Sequence, residues 1–475
     1  MDDATALPDS LPDTPLVHWF GVSGYSKRGL AAALGEYARA HGCPQITADA
    51  SRVRGWLRGE QPREPIPGFL AAILSERCSL PLTAADLGLG SAHDDGLTRY
   101  RGPADVLRDL GTLTAADLKQ GPHRHPAPDE GLDQVPENPE LFPAALDAWA
   151  YAPLHPLPGT LNDAGRRLGA ADAARIDDYT TVFRRLDNQH GGGSTLHSAT
   201  GQLAWATRMI STGHYSQAAG RDLFHSLADL AGCVGWMSHD TAQRAAALKY
   251  LTLAVHAARE SGDRELTAHL LQCLARVWGY LNRPDIAADG IALALYGARR
   301  EVHPVQRAGL HALAARFAAL QGNAVEAVRE VRLAQEIFAQ DGPGPLPAYA
   351  SYLDQAELWS TLGEVLLFLA KTTDNAQHAG AAVELLTVAA ADRHPDRVRS
   401  RAFDAVAAAR AHLVVGDLDA AAEAGRRAAD LGAGVDSARV RRRLADLRRE
   451  AAPHSADAAV RALREQLAGV IEATG

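Results

Sequence analysis

Residues 275–294 read ARVWGYLNRPDIAADGIALA, and the same pattern occurs twice more along the chain. Residues 315–334 read ARFAALQGNAVEAVREVRLA, and residues 409–428 read ARAHLVVGDLDAAAEAGRRA. Each copy has an Ala-Arg pair before a short polar turn and two alanines after it, at similar spacings. The second copy follows the first by 40 residues and the third follows after 94 more, with a poorer copy around residues 362–386 between them. The chain therefore contains an internal repeat.

Each copy predicts two helices joined by a tight turn, because apolar residues recur at helical spacing on both sides of the turn. Small residues at fixed points let the paired helices approach closely. One such pair cannot bury its apolar face alone, so neighbouring pairs are expected to stack into a superhelix. The repeats resemble tetratricopeptide repeats (TPRs), although each unit is longer. Residues 161–475, which show no strand-like alternation, are therefore predicted to form a TPR-like helical repeat domain.

The remaining sequence is predicted to contain three regions, since 475 residues exceed the size of a single core. Residues 1–15 are rich in aspartate and proline and are expected to be a disordered tail. Residues 16–90 have helical patterning and are predicted to form a compact domain. Residues 91–160 are predicted to be an acidic, Pro-rich linker.

The bulk composition is that of an ordinary globular protein, with 47% hydrophobic and 22% charged residues. The acidic N-terminus does not resemble an export signal, and no apolar run is long enough to cross a membrane. The four cysteines are far apart and form no CxxC pair. These features predict a reduced, cytoplasmic protein.

The N-terminal domain contains a short basic segment, ASRVRGWLRGEQPRE, at residues 50–64. The net charge of the whole chain is −9, so this segment differs in charge from its context. A helix is predicted to begin near Thr47 or Asp49 and to end at Gly59. Because nearly all basic residues of the chain are arginines, the number of arginines alone does not identify a site.

The order of residues within this helix is more informative than its charge. Val53, Trp56 and Leu57 fall on one side, which is suited to packing, whereas Arg54 and Arg58 fall on the other. Arginines can neutralise phosphates and read guanine edges, and a glycine leaves room for close approach. The predicted contacts to double-stranded DNA are Lys27, Arg28, Thr47, Ser51, Arg52, Arg54, Gly55, Arg58 and Arg63.

Residues 53–59, followed by Pro62, resemble the end of the recognition helix in phage-repressor-type helix-turn-helix domains. Residues 26–35 (SKRGLAAALG) resemble the preceding helix of that motif. Leu57 replaces the usual glutamate, and the two segments lie farther apart than in the compact motif. The resemblance implies that residues 16–90 form a helix-turn-helix-like DNA-binding domain.

Several phrases together resemble the NsdA-like regulators of actinobacteria. They are residues 53–59 with Pro62 and Arg63, 80–89 (LPLTAADLGL), 231–240 (AGCVGWMSHD) and 260–269 (ESGDRELTAH). The resemblance implies a transcriptional regulator, a repressor of differentiation or antibiotic production, with an N-terminal helix-turn-helix region and a TPR-like array. By fold-level analogy, the groove of the array is expected to bind a peptide or small-molecule effector.

The predicted fold class is thus all-α, with a small helix-turn-helix-like domain followed by a TPR-like α-solenoid. A homodimer is expected, because one short basic helix offers few phosphate contacts. The TPR-like array is expected to mediate dimerisation, effector sensing or both. The alternative is a protein–protein interaction scaffold whose degenerate helix-turn-helix domain does not read DNA. The residues that contact an effector are not identified by the sequence.

No enzymatic activity is predicted. Residues 190–193 (HGGG) resemble the oxyanion loop of some esterases, but the chain has no GxSxG motif, so these glycines are predicted to join two helices. The sequence also lacks a P-loop and an HExxH motif. No cofactor and no metal site are therefore predicted.

Overall fold

The chain divides into two compact units, residues 1–96 and residues 97–475. The computed structural model describes residues 14–40, 43–63, 65–78, 82, 84, 87–89, 102–120, 154–160, 165–298, 302–340, 344–373 and 375–473. Within these residues the regular structure is helical, apart from an isolated β-bridge between Arg167 and His214. The predicted all-α class is confirmed. The predicted disordered tail, apart from residues 14 and 15, and most of the predicted linker lie outside the described residues.

The N-terminal unit contains four helices: α1 (Pro15–Ser23), α2 (Lys27–Ala40), α3 (Ala50–Leu57) and α4 (Ile66–Cys78). Helix α1 starts at Pro15, whose fixed φ suits a first turn, and ends at Gly24 in the left-handed region. Helix α2 packs against both α3 and α4. The apolar face of α2 is buried at Leu30 and Leu34, which join a core of side chains from all four helices.

The second unit contains helices α5 to α19. Their bounds are α5 Pro103–Gln120, α6 Ala170–His190, α7 Leu196–Thr212, α8 Gln217–Asp240, α9 Arg244–Ser261, α10 Arg264–Tyr280, α11 Pro284–Ala298, α12 Pro304–Leu320, α13 Ala324–Phe338, α14 Gln355–Thr373, α15 Ala376–Asp392, α16 Val398–Val415, α17 Leu418–Gly432, α18 Ala438–Glu450 and α19 Ala458–Ala473. Short 3-10 turns occupy Pro158–Thr160, Gly192–Ser194, Ala348–Ala350 and Ala452–His454.

Consecutive helices of this unit pair as hairpins. The pairs are α8–α9, α10–α11, α12–α13, α14–α15 and α16–α17, with α18–α19 at the end, and each pair packs on the next. This arrangement confirms the predicted α-solenoid. The alanines of the repeat are fully buried where the helices approach, as at Ala275 with Ala287, and Ala315 with Ala327. In the poorer copy Gly363 has this role, because a Cβ there would lie 2.7 Å from Cγ of Leu386.

The structure contains one further repeat copy that the sequence pattern did not identify. In the hairpin α8–α9, each repeat position lies 40 residues before its counterpart in the copy that begins at Ala275. These positions are Gly235-Trp236, Ala242, Ala247 and Ala254. In both copies the residue at the turn has a positive φ, 65° at Ala242 and 61° at Asn282. The copy was missed because glycine and tryptophan replace the Ala-Arg pair, and alanine replaces the usual turn residue.

Two stretches within the range predicted as a linker pack against the array. Helix α5 contacts α7 and α9, and the Tyr250 hydroxyl donates to Asp117 Oδ2 at 2.6 Å. In the second stretch, the backbone N–H of His155 donates to the buried Glu260 carboxylate at 3.0 Å, and Leu157 is fully buried. These contacts make residues 102–120 and 154–160 part of the second unit.

The solenoid closes on itself through a contact that we call the clasp, formed by Asp187, Asp240, Arg399 and Ser437. Both Arg399 terminal nitrogens donate to Asp187, each at 2.7 Å, and Nη1 also lies 3.1 Å from Asp240. The Ser437 hydroxyl donates to Asp240 at 2.8 Å. All four side chains are buried. The clasp therefore joins the ends of α6 and α8 to α16 and to the residue before α18.

The glycines of residues 190–193 join α6 to α7, as predicted, and they also form part of this closure. The backbone N–H of Asp436 donates to the carbonyl of His190 at 2.8 Å, and Gly193 N–H donates to the Asp436 carbonyl at 3.3 Å. Gly191 has a φ of 87°, and a Cβ there would collide with the Asp436 carbonyl. Only glycine permits so close a backbone approach in this conformation.

None of the described helices is both long and apolar enough to cross a membrane.

Candidate functional site

Helix α3 has the two faces that its sequence predicted. Val53, Trp56 and Leu57 are buried, with at most 4% of each side chain exposed. Asp49 caps the helix, and its Oδ1 accepts hydrogen bonds from the backbone of Ser51 at 3.0 Å and Arg52 at 2.8 Å. The free amides of the first turn therefore already bind a carboxylate. On the opposite face of α3, the groups available to a ligand are therefore side chains.

The predicted DNA contacts lie mostly at the surface of the N-terminal unit. Seven of them are exposed, namely Arg28, Thr47, Ser51, Arg52, Arg54, Arg58 and Arg63. Lys27 and Gly55 are half-buried. Within the described part of the chain, the five exposed arginines form no ion pair, so their charges remain available to a ligand.

The charge of the N-terminal unit differs from that of the whole chain. Residues 16–90 have eight basic and six acidic side chains, a net charge of +2, whereas the full chain has a net charge of −9. Among the acidic side chains, Glu60 lies on the same surface as the α3 arginines. Its carboxylate covers Gly55, where a Cβ would come within 2.7 Å of the Glu60 carboxyl carbon. The space that the glycine leaves is therefore occupied by a negative group.

A second candidate site lies inside the array. A cavity of about 510 Å³ is lined by the first helix of each hairpin, α8, α10, α12, α14, α16 and α18, together with the end of α6. In the repeat frame, the residue six positions before the left-handed turn residue faces this cavity. These residues are Trp236, Arg276, Arg316 and Arg410. The repeat therefore positions one side chain per hairpin on the inner surface.

The cavity lining is basic although the protein is acidic. Its lining contains ten arginines but only six aspartates and glutamates. Three further carboxylates, Asp240, Asp354 and Glu450, pair with lining arginines from outside the lining, so ten arginines face nine carboxylates in all. Several of these arginines are neutralised by close carboxylates. Arg399 pairs with Asp187, Arg393 pairs with Asp404 at 2.8 Å, and Arg410 pairs with Glu450 at 2.6 Å.

Four of the remaining arginines form what we call the arginine cluster, consisting of Arg276, Arg439, Arg442 and Arg443. Arg443 shares the Glu364 carboxylate with Arg316. Arg276 lies 3.6 Å from Glu357, which also binds Arg393, and Arg439 lies 3.6 Å from Asp240 of the clasp. Arg442 has no carboxylate partner among the described residues. Each carboxylate near the cluster is thus shared between two arginines, and Arg442 has none. The excess positive charge of the lining is therefore located at the cluster.

Aromatic rings hold the arginine cluster in place. The guanidinium of Arg439 lies between Trp236 and Phe403, 5.0 Å from each ring centroid. Arg442 lies 4.6 Å from the ring centroid of Tyr280, and Arg443 lies 4.9 Å from that of Phe403. Cation–π contacts of this kind orient a guanidinium without neutralising it. The cluster is consequently both ordered and positively charged.

The pKa values of neighbouring groups reflect this positive charge. Burial lowers the pKa of Arg439 to about 10, and the adjacent Arg399 and Arg443 act in the same direction while Asp240 opposes them. Burial and then Arg439 lower the pKa of His239 well below its usual value. Burial, followed by Arg184 and Arg276, lowers the pKa of His269 to about 3. Both histidines are therefore neutral at neutral pH.

The sequence contained a signal for this cavity that was not recognised. Arg439, Arg442 and Arg443 are spaced so that they share one face of α18, but arginines are so common in this chain that the run RVRRR did not stand out. Trp236 is partly exposed and lines the cavity. Of the other tryptophans in the array, Trp278 is buried, Trp359 packs on Phe338, and Trp205 is 37% exposed.

Residues 16–90 match the family described as the SP15 N-terminal domain. No curated protein matches the chain. The N-terminal unit is thus similar to SP15 N-terminal domains, and the match ends before the helical array begins.

Proposed function

We propose that the protein is a cytoplasmic, DNA-binding transcriptional regulator, in which the N-terminal unit contacts double-stranded DNA and the array senses an effector. The observation that carries the proposal is the face of α3 opposite its buried residues. Arg54 and Arg58 are exposed there, with Arg52 beside them, and none of the three has an ion-pair partner among the described residues. Unpaired arginines are suited to phosphate oxygens and to guanine edges.

The length of α3 supports a dimeric arrangement. Eight helical residues span about 12 Å, which allows only a few phosphate contacts. Two copies of the chain on adjacent half-sites would double those contacts. We therefore propose a homodimer, with repression of differentiation or antibiotic production as the role that the resemblance to NsdA-like regulators implies.

Fluorescence anisotropy with a duplex from upstream of the gene tests DNA binding, with random-sequence duplex as competitor. The Arg54→Ala, Arg58→Ala double variant is expected to bind more weakly and to reduce the slope of log K against log salt by about 2. Arg39→Ala is the matched control, because Arg39 is exposed on α2 outside the proposed face. Unchanged affinity and slope in the double variant would show that α3 does not contact DNA.

The second candidate function is a protein–protein interaction scaffold, and the position of Glu60 favours it. A carboxylate over Gly55 interrupts the basic face and repels a phosphate backbone. If the protein binds DNA, Glu60→Gln is expected to tighten binding several-fold, because it removes this repulsion. A scaffold would show neither that increase nor any preference for the upstream duplex over competitor.

A further inference from the structure

The inner cavity contains buried polar groups whose bonding capacity is not used. Nδ1 of His239 and Nε of Arg276 have no hydrogen-bond partner among the described residues, although both atoms are inaccessible to solvent. His239 as a whole is only 2% exposed. Buried polar atoms are usually hydrogen-bonded, so unpaired ones at the wall of a cavity point to a missing partner. That partner must suit a surface with excess positive charge.

We propose that the cavity binds a phosphorylated small molecule whose phosphate is held by the arginine cluster. The inference deepens the sensing role proposed for the array and rests on that part of the proposed function, not on DNA contact. A phosphate monoester carries close to two negative charges and three acceptor oxygens at neutral pH. Guanidinium groups bind such oxygens in pairs, with geometry that an ammonium cannot reproduce.

The size of the cavity favours an organic phosphate over an inorganic ion. A volume of about 510 Å³ lies within the range of small-molecule sites and far exceeds what a phosphate group fills. Apolar and aromatic side chains with exposed surface line part of the same cavity, among them Tyr280, Leu320 and Phe403. They provide a surface on which the organic part of the ligand can be buried. The cavity thus combines anion-binding and apolar groups, as a phosphorylated metabolite requires.

The arginine cluster is also arranged before any ligand arrives. The three rings of Trp236, Tyr280 and Phe403 restrain the guanidiniums, and the inner helices that carry them are packed into the array. A ligand therefore does not have to order long, mobile side chains, which is a major cost of binding at exposed arginines. The low pKa of His239 leaves a neutral imidazole able to donate or accept a hydrogen bond.

Isothermal titration calorimetry and thermal shift on the full-length chain test the proposal with three probes. The probes are pyrophosphate, a nucleoside diphosphate and a glutamate-rich peptide, each compared with sodium chloride at equal ionic strength. Saturable binding of the nucleoside diphosphate, tighter than that of pyrophosphate, is expected. Binding of pyrophosphate alone would overturn the organic part of the proposal. Binding of the peptide alone, or of no probe, would overturn it entirely.

Arg442→Gln is the decisive variant, because Arg442 has no carboxylate partner among the described residues and its loss leaves no buried acid unpaired. It is expected to weaken binding of the nucleoside diphosphate by about tenfold or more, as for loss of a charge-assisted hydrogen bond. Arg448→Gln, at an exposed position of the same helix, is the control and should bind as the unaltered chain does. Equal affinities for the two variants would refute the assignment.

Arg442→Lys keeps the charge and guards against a folding defect in the glutamine variant. It should restore part of the affinity, since an ammonium attracts phosphate but cannot bind it in the bidentate manner. DNA binding is measured on the same preparations. If the protein binds the upstream duplex but no phosphate probe, only the cavity proposal is refuted. If it binds a phosphate probe but not the duplex, only the DNA-binding proposal is refuted.

Discussion

Replacing Arg399 with alanine removes the cation at the centre of the clasp. Its guanidinium makes two 2.7 Å hydrogen bonds to Asp187 and lies 3.1 Å from Asp240, and all three side chains are buried. Asp240 keeps other partners, because it accepts from Ser437 and from the Gly192 backbone. Asp187, in contrast, loses its main hydrogen-bonding partner. The variant therefore leaves one buried carboxylate without its counter-charge.

The expected cost follows from that single unpaired group. Breaking a buried ion pair on one side typically destabilises a protein by about 3–5 kcal/mol. Burial already raises the pKa of Asp187, with Arg399 opposing the effect. Without Arg399 its pKa should rise further, so the folded variant binds a proton that the unfolded chain releases. The loss of stability is therefore expected to be larger at pH 8 than at pH 5.5.

Urea unfolding followed by far-UV circular dichroism measures this loss at both pH values. Arg401→Ala is the matched control, because Arg401 lies on the same helix and forms no ion pair within the described residues. A double-mutant cycle with Asp187→Ala isolates the coupling between the two groups. A cost for Arg399→Ala below about 1 kcal/mol, or equal to that of Arg401→Ala, would refute a stabilising role for the clasp.

Two further predictions concern the array. The pKa of His269 is about 3 when folded, so its contribution to stability should fall as pH drops below about 6.5, by about 1.4 kcal/mol between pH 7.5 and 5.5. The pKa of His239 is lowered too and adds a fall of its own, so His269→Gln should reduce the total fall in urea titrations by about 1.4 kcal/mol without abolishing it, and the exposed His197→Gln should leave it unchanged. Gly363→Ala should lower the free energy of unfolding by about 1–3 kcal/mol, because its Cβ would meet Leu386. Gly380→Ala should raise the free energy of unfolding by about 0.5–1 kcal/mol, because the space around Gly380 is open. Equal effects at the two glycines would contradict the proposed helix contact.

The sequence predicted local structure well because local structure depends on short-range periodicity. The buried faces of α2 and α3, including Leu34 and Trp56, follow from helical spacing alone. The hairpins follow from the repeat of buried alanines such as Ala287 and Ala327. These features need no knowledge of how distant parts of the chain meet.

The cavity could not be predicted in the same way. Its shape depends on which helix of each hairpin faces inward and on closure between residues far apart in sequence. Arg439 and Trp236 lie 5.0 Å apart, measured from the guanidinium to the ring centroid, although about two hundred residues separate them. Likewise, the position of Glu60 over Gly55 depends on the turn after α3 and not on any periodic pattern. Charge and repeat spacing identified candidate residues, but they did not identify the side chains that surround those residues in the folded protein.

The clasp also determines when the molecule can be completed during its synthesis. Asp187 and Arg399 are separated by 212 residues, so the second partner emerges long after the first. At the usual rate of about 5–20 residues per second, that interval lasts about 10–40 s. Throughout it, the early hairpins can form and stack, but Asp187 and Asp240 have no arginine to pair with. The arginines of α18 arrive later still, so this side of the cavity wall forms only after Arg399 has been made.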